Sequence, residues 1–165
     1  MAWTPNGNFV IGQAIDEVST TQKMALGTIV QCKDPTLGVG EFIYLKGVAS
    51  TVVGSIVNYD DTWQTALDTA AVSGPSRPLA VAMSACDAST EYGWYQISGM
   101  AVATKANSVS FADGAGLGSA AGLAVAVATG TVIQGAVVRT VASAKSNVTT
   151  VAIAINRPHG PSDVS

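Results

Sequence analysis

RPLAVAMSACDASTEYGWYQISGMAVATK, residues 77–105, decides the fold of this chain. In its first half Leu79, Val81 and Met83 alternate with Ala80, Ala82 and Ser84, the period-two pattern of a strand with one bulky and one small face. The small face is suited to lie against another surface. In its second half Trp94, Gln96 and Ser98 oppose Tyr95 and Ile97, and large apolar residues then resume at Met100 and Val102. The phase slips by one residue, which a β-bulge at Ser98 and Gly99 explains. The stretch therefore reads as a β-hairpin, and it holds almost nothing that does chemistry.

Strand texture extends outward in both directions. GTIVQCK (27–33) and EFIYLKGV (41–48) are rich in β-branched and aromatic residues and are separated by the turn signal Asp34-Pro35. TVVGSIVNY (51–59) is a third strand, interrupted by Gly54. NSVSFADG (107–114) predicts a short strand, and TVIQGAVVRTVAS (131–143) and NVTTVAIAINRP (147–158) predict the closing ones. Trp63, Ala66, Leu67, Ala70 and Ala71 fall at helical spacing, with Asp61 or Thr62 placed to cap the first turn, so at most one short helix is expected, at this place. The fold class is mainly β: a compact antiparallel barrel or sandwich with an extended N-terminal arm.

With 165 residues the chain is long enough for one sizeable core. Residues 1–24 mix the turn signal Asn6-Gly7, a short apolar run and the polar STTQK, and are expected to form an arm that orders on a partner. The β domain is expected over 25–158, and 159–165 as a flexible tail. Charged residues make up 12% of the chain, which is low for a surface that must stay hydrated, so partner-covered surface is expected. The formal charge is −3 and the eight Lys and Arg residues are scattered singly, which argues against nucleic acid as a partner. Residues 114–138 carry no charge, yet their glycines, hydroxyl residues and Ala/Val alternation read as strand and turn, so no membrane span is expected. The first residues have no basic start and no long apolar run, so synthesis in the cytoplasm is expected.

Chemistry is sparse. Cys32 and Cys86 form no metal-ligand spacing with the lone His159 and are expected as buried free thiols. His159 lies between Pro158 and Gly160 beside a loose tail, a poor place for a catalytic base. GAGLGSAAG (114–122) lacks the Lys-Ser/Thr ending of a phosphate loop and is expected as a flexible loop. Asp60, Asp61 and Asp68 lack the spacing of a calcium loop and read as caps and solvated acids. Glu91 beside Tyr92, Trp94 and Tyr95 is one acid where a glycosidase needs two. No catalytic residue, metal or cofactor is expected, and the chain is read as a non-enzyme. The aromatic residues read first as strand packing and second as interface.

Four segments taken in order, GEFIYLKGVASTVVGSIVNYD (40–60), RPLAVAMSA (77–85), EYGWYQISGMAVA (91–103) and INRP (155–158), resemble small decoration or cement proteins on the heads of tailed bacteriophages. YGWYQISG is the most specific phrase, and the likeness spans about residues 27–158. The resemblance implies a β-rich module on the capsid exterior that contacts several major capsid subunits and stabilises the head against packaged DNA. Symmetric clusters fit capsid axes, so self-association as a dimer or trimer is expected. Trp3 and Phe9 in the arm and Trp94 and Tyr95 in the hairpin are the candidate partner contacts. The alternative is a carbohydrate- or receptor-binding surface or tail module that stacks sugars on Trp94 and Tyr95.

Overall fold

The computed structural model describes residues 3–8, 10–70, 76–128, 131–139 and 149–160. Eleven strands follow in order: β1 (Thr4–Pro5), β2 (Ile29–Asp34), β3 (Gly38–Lys46), β4 (Ile56–Tyr59), β5 (Thr65–Leu67), β6 (Leu79–Ala82), β7 (Tyr92–Thr104), β8 (Gly118–Ala120), β9 (Leu123–Val125), β10 (Gln134–Val138) and β11 (Thr150–His159). The main sheet runs β1-β2-β3-β7-β6-β4-β5 with antiparallel pairings, and β11 joins it through β7 and carries β10. β8 and β9 form a separate hairpin. The β class expected from the sequence is therefore observed.

β7 is the organising strand, and it lies in the stretch that the sequence singles out. Val81 and Ala82 of β6 pair with Gln96 and Tyr95, which closes the expected hairpin. On β3, Tyr44 faces Trp94 and Ile43 faces Tyr95, and because successive residues point to opposite faces the two pairs lie on opposite sides of the sheet. One face gathers Phe42, Tyr44 and Trp94 with Val30, Cys32 and Met83. The other gathers Ile43, Leu45, Tyr95 and Ile97 with Val57, Ala80, Ala82 and Cys86. The small face of β6 thus lies against Tyr95. Two-sided burial is what the unbroken apolar run FIYL needs.

The expected bulge is present, with its register slip one residue upstream: Glu41 pairs with Ser98 but Phe42 with Gln96, so Ile97 is the extra residue. The buried Gln96 amide donates to the carbonyls of Ser98 (3.0 Å) and Met100 (2.9 Å) and holds the kink closed. Gly99 follows at φ 100°, and a Cβ there would meet the Val39 carbonyl oxygen at 2.5 Å. Beyond the kink β7 joins β11, where Ala101 opposes Ile153 and Ala103 opposes Val151, while Met100 opposes Ala154 and Val102 opposes Ala152. Large residues meet small ones on both faces. Ala101, Ala103, Val151 and Ile153 belong to a third apolar cluster with Ile56, Leu79, Val81 and Phe111.

Four expectations are corrected. The segment before β2 is not a free arm in its described residues: Trp3 and Ile15 are buried against Phe42 and Tyr44, and Ser19 pairs with Tyr92 through two backbone hydrogen bonds. It covers an aromatic face that would otherwise meet water. The helix after Asp61 does not form, because Trp63 sits at φ 63° in the left-handed region and the chain turns directly into β5. The strand expected at 107–114 is replaced by a loop that inserts Phe111 into the third cluster. The loop expected over 114–122 instead enters the β8-β9 hairpin, whose two turn residues, Ala121 (φ 47°) and Gly122 (φ 78°), both take the positive φ of a type I′ turn.

The sheet curls back on itself without closing. Gln64, just before β5, makes one parallel bridge to Lys46 at the end of β3, and the Thr65 hydroxyl donates to the Lys46 carbonyl at 2.7 Å, without a strand ladder forming between β3 and β5. Of the expected barrel or sandwich, the closed barrel is not formed: the main sheet is open. β11 runs on through His159, so the chain is ordered past the expected tail boundary at 158, while 161–165 lie outside the described residues. No helix of the described residues is long and apolar enough to cross a membrane.

Candidate functional site

The four residues expected to meet a partner fall into three situations. Trp94 and Tyr95 are wholly buried on opposite faces of β7. The Trp94 indole N–H donates to the Gln13 carbonyl at 2.9 Å and its ring packs on Tyr44 at 5.0 Å. Tyr95 lies beside Cys86, and burial holds its phenol far above the usual range. Trp3 is 9% exposed and set edge-on to Phe42 at 4.8 Å. Phe9 lies outside the described residues. Neither Trp94 nor Tyr95 can stack a sugar or meet a capsid subunit from this fold, because both faces of the strand that carries them are covered.

The cysteines are buried free thiols on opposite faces of the main sheet, with Cys32 beside Phe42 and Cys86 beside Tyr95. Burial pushes the Cys86 thiol up to about 11 and raises Cys32 as well. Asp68 is buried rather than solvated: its carboxylate accepts from the Asn58 amide at 3.0 Å and from the Ser119 hydroxyl, tying β4 to β8. Lys105, which belongs to no motif, is also buried, and its ammonium donates to the Val109 carbonyl at 2.7 Å. No group of three or more His, Cys, Asp or Glu side chains is placed to hold a metal among the described residues.

Two surface features gather side chains from neighbouring strands and turns. The first is the outward face of β2 and β3, where Ile29, Gln31 and Lys33 alternate with the buried Val30, Cys32 and Asp34. Lys33 pairs with Val39 and Gln31 with Glu41, which places these side chains on one face of the sheet. Ile29 is 44% exposed and Val39 50%. The only ion pair among the described residues rims this face, with the Arg157 guanidinium 2.8 Å from the Glu41 carboxylate.

The second is a groove that runs from Tyr59 to His159. One section, of about 390 Å³, is lined by Tyr59, Asp60, Asp61, Trp63, Arg77 and Pro78. A neighbouring section of about 280 Å³ shares Tyr59 and Pro78 and reaches Ser76, Arg157 and His159. Asp60 builds the turn beneath it. One carboxylate oxygen accepts from the Thr62 hydroxyl (2.7 Å) and from the backbone N–H groups of Thr62 (2.9 Å) and Gln64 (3.1 Å). The Thr62 hydroxyl and then the Gln64 N–H hold the Asp60 carboxyl below its usual range. His159, given no role by the sequence, has its ring Nδ1 3.2 Å from the Ser76 hydroxyl.

The chain matches no family model, no curated protein and no solved structure. Its surfaces are therefore read on their own chemistry. The sequence carries one local sign of the groove, the phrase Tyr59-Asp60-Asp61-Thr62-Trp63. Helical spacing at Trp63 obscured it, because an aspartate-capped tight turn and a helix N-terminus begin with the same residues.

Proposed function

We propose that this chain is a structural virion protein that binds the outside of a bacteriophage capsid, bridges major capsid subunits and stabilises the head. The observation that carries the reading is the outward face of β2 and β3, where Ile29 and Val39 are half-exposed on hydrogen-bonded strands. Such a face suits a shallow contact repeated over a lattice, where many weak copies hold through avidity. The β-rich body, the low charge and the resemblance of its strand phrases support the same reading. The contact surface moves accordingly from Trp94 and Tyr95 to Ile29 and Val39, and association as a dimer or trimer on the capsid exterior remains part of the proposal.

The test is addition of the purified chain to capsids that lack it, read by particle density maps and by resistance to heat or chelator. Density on the outer shell and a raised disruption temperature are the expected results. The double substitution Ile29→Asp, Val39→Asp should lower occupancy at least tenfold with little change in the melting of the free chain. Undiminished occupancy by that variant would refute the face, and no binding by the wild type would refute the function.

A further inference from the structure

We propose that the groove at Tyr59 and Trp63 is a binding site for a pyranose unit of a neutral saccharide. The inference goes beyond the capsid reading and does not depend on it. Trp63 is a bulky residue held in the left-handed region at φ 63°, a conformation that persists only where surrounding structure imposes it. Here Asp60 imposes it: its carbonyl accepts from the Trp63 N–H at 3.1 Å, and its carboxylate binds the flanking N–H groups of Thr62 and Gln64. The Trp63 carbonyl in turn accepts from the Lys46 N–H at 3.1 Å. Strain is thus spent on fixing one aromatic ring that is partly buried against the core and lines the groove with the rest of its surface.

That ring is backed by a glycine. A Cβ on Gly27 would lie 2.6 to 2.8 Å from three atoms of the Trp63 six-membered ring, so only glycine lets the indole settle there. The Tyr59 ring lies 6.4 Å away with its plane at 25° to the indole, and together the two make a nearly parallel pair. Both rings line the groove. On its rim the side chains of Asp61 and Arg77 are exposed and make no hydrogen bond or ion pair with any described residue.

A stacked aromatic pair beside an exposed carboxylate and an exposed guanidinium matches the two surfaces of a pyranose. Its apolar C–H face packs on the rings, while its hydroxyls donate to the carboxylate and accept from the guanidinium. The volume falls in the range of small-ligand sites. Asp60 and Asp61 both lie on this section against the single cation Arg77, a balance that disfavours phosphorylated ligands such as nucleotides.

The chain has three tryptophans, and since Trp3 and Trp94 are buried, ligand-dependent changes in fluorescence quenching report on Trp63. The probes are neutral oligosaccharides of glucose, galactose, mannose, xylose and N-acetylglucosamine, titrated into the full chain with acrylamide as quencher and checked by calorimetry. At least one series should give saturable protection. Asp61→Ala and Arg77→Ala, both at exposed positions, should each weaken that binding at least fivefold, and Trp63→Ala at least tenfold, while Trp63→Phe keeps calorimetric binding and loses the fluorescence response. Absence of saturable binding across the panel, or unchanged affinity in the Asp61→Ala, Arg77→Ala double variant, overturns the proposal. Loss of capsid occupancy by that double variant without any saccharide binding by the wild type also overturns it, because the groove would then be a protein contact.

Discussion

Replacing Gln13 by alanine tests whether the N-terminal segment is part of the fold. Gln13 is 2% exposed, and its amide oxygen accepts from the Tyr44 hydroxyl at 2.7 Å. Its amide nitrogen donates to the carbonyls of Glu17 (2.7 Å) and Tyr92 (2.9 Å). The Tyr92 carbonyl keeps a second donor, the Ser19 N–H, so its loss is small. The Tyr44 hydroxyl is different: it still accepts from the Lys23 N–H but has nowhere to donate. One stranded buried donor and the other lost bonds come to about 3 kcal/mol. For a chain of this length that is a fall in Tm of roughly 6–12 °C.

The assay is thermal and urea unfolding followed by near-ultraviolet circular dichroism, with a double-mutant cycle against Tyr44→Phe. If the stranded hydroxyl dominates, Gln13→Ala should cost at least about 1 kcal/mol less in the phenylalanine background, since the donor is already gone. Gln22→Ala is the control, because its amide reaches only the Met24 carbonyl at an exposed position and should shift stability by less than about 0.5 kcal/mol. A Tm for Gln13→Ala within a degree of wild type, or equal costs in both backgrounds, would refute the reasoning.

Deletion of residues 1–24 removes the buried Trp3 and Ile15 and uncovers Phe42, Tyr44 and Trp94, a loss of about 6–10 kcal/mol against a typical total of about 5–15. The truncated chain should bind a hydrophobic dye and melt without cooperativity, so a cooperative melt near that of the full chain would count against the strap. Gly47→Ala should cost several degrees more than Gly38→Ala: a Cβ at Gly47 meets the Cys86 carbonyl and the Cys86 sulfur at 2.6 Å, whereas Gly38 at φ 80° has open space and carries only backbone strain of about 1–2 kcal/mol. Equal melting of the two variants would contradict this packing. The folded chain should lose stability as pH rises from 9 to about 11, because unfolded chains release the Cys86 proton first and bind fewer protons than the folded state over that window. Urea unfolding across that range checks the slope, and a Cys86→Ala variant should show less of it. The thiols should also resist alkylation at pH 8 until the protein is unfolded, and rapid labelling of the native chain would contradict their burial.

How much was legible depends on whether a residue's role is set by its neighbours in sequence or in space. The β6 and β7 pairing was legible because alternation and a phase slip are local signals, and Ile97 moved the bulge by only one residue. Met100 and Val102 misled slightly: the sequence favours burying the large residues, yet Ala101 and Ala103 are the wholly buried ones, since Val151 and Ile153 of a strand some fifty positions away fill that space. Trp94 and Tyr95 could not be placed from the sequence, because a strand covered on one face and a strand covered on both carry similar aromatics until the covering segment is known. That segment is residues 3–8 and 10–24, whose weak patterning hid the role of the buried Trp3, Gln13 and Ile15. Trp63 was misread for the reason given by Asp60, whose side chain serves a helix cap and a tight turn equally well.

Burial on both faces also changes what the low charge means. A sheet covered on one side spends about half of its strand residues on water, but in β3 only Gly38 and Val39 are exposed and in β7 no residue is, because the N-terminal segment covers one face and β4, β5 and β6 cover the other. A chain built this way has few charges whether or not a partner covers its exterior, so the 12% of charged residues carries less weight for a docking surface than it did in the sequence. The weight shifts to side chains that the fold leaves open at the surface: the half-exposed Ile29 and Val39 on one side, and on the other Tyr59 and Trp63, partly buried against the core and lining the groove. These surfaces meet at one place, since Arg157 lines the groove and its guanidinium pairs with Glu41 on the β2-β3 face. An exposed pair of this kind contributes about 0–1 kcal/mol. Coupling through it is too weak to make docking and saccharide binding rise or fall together, and substitutions on one surface should therefore leave the other at full strength.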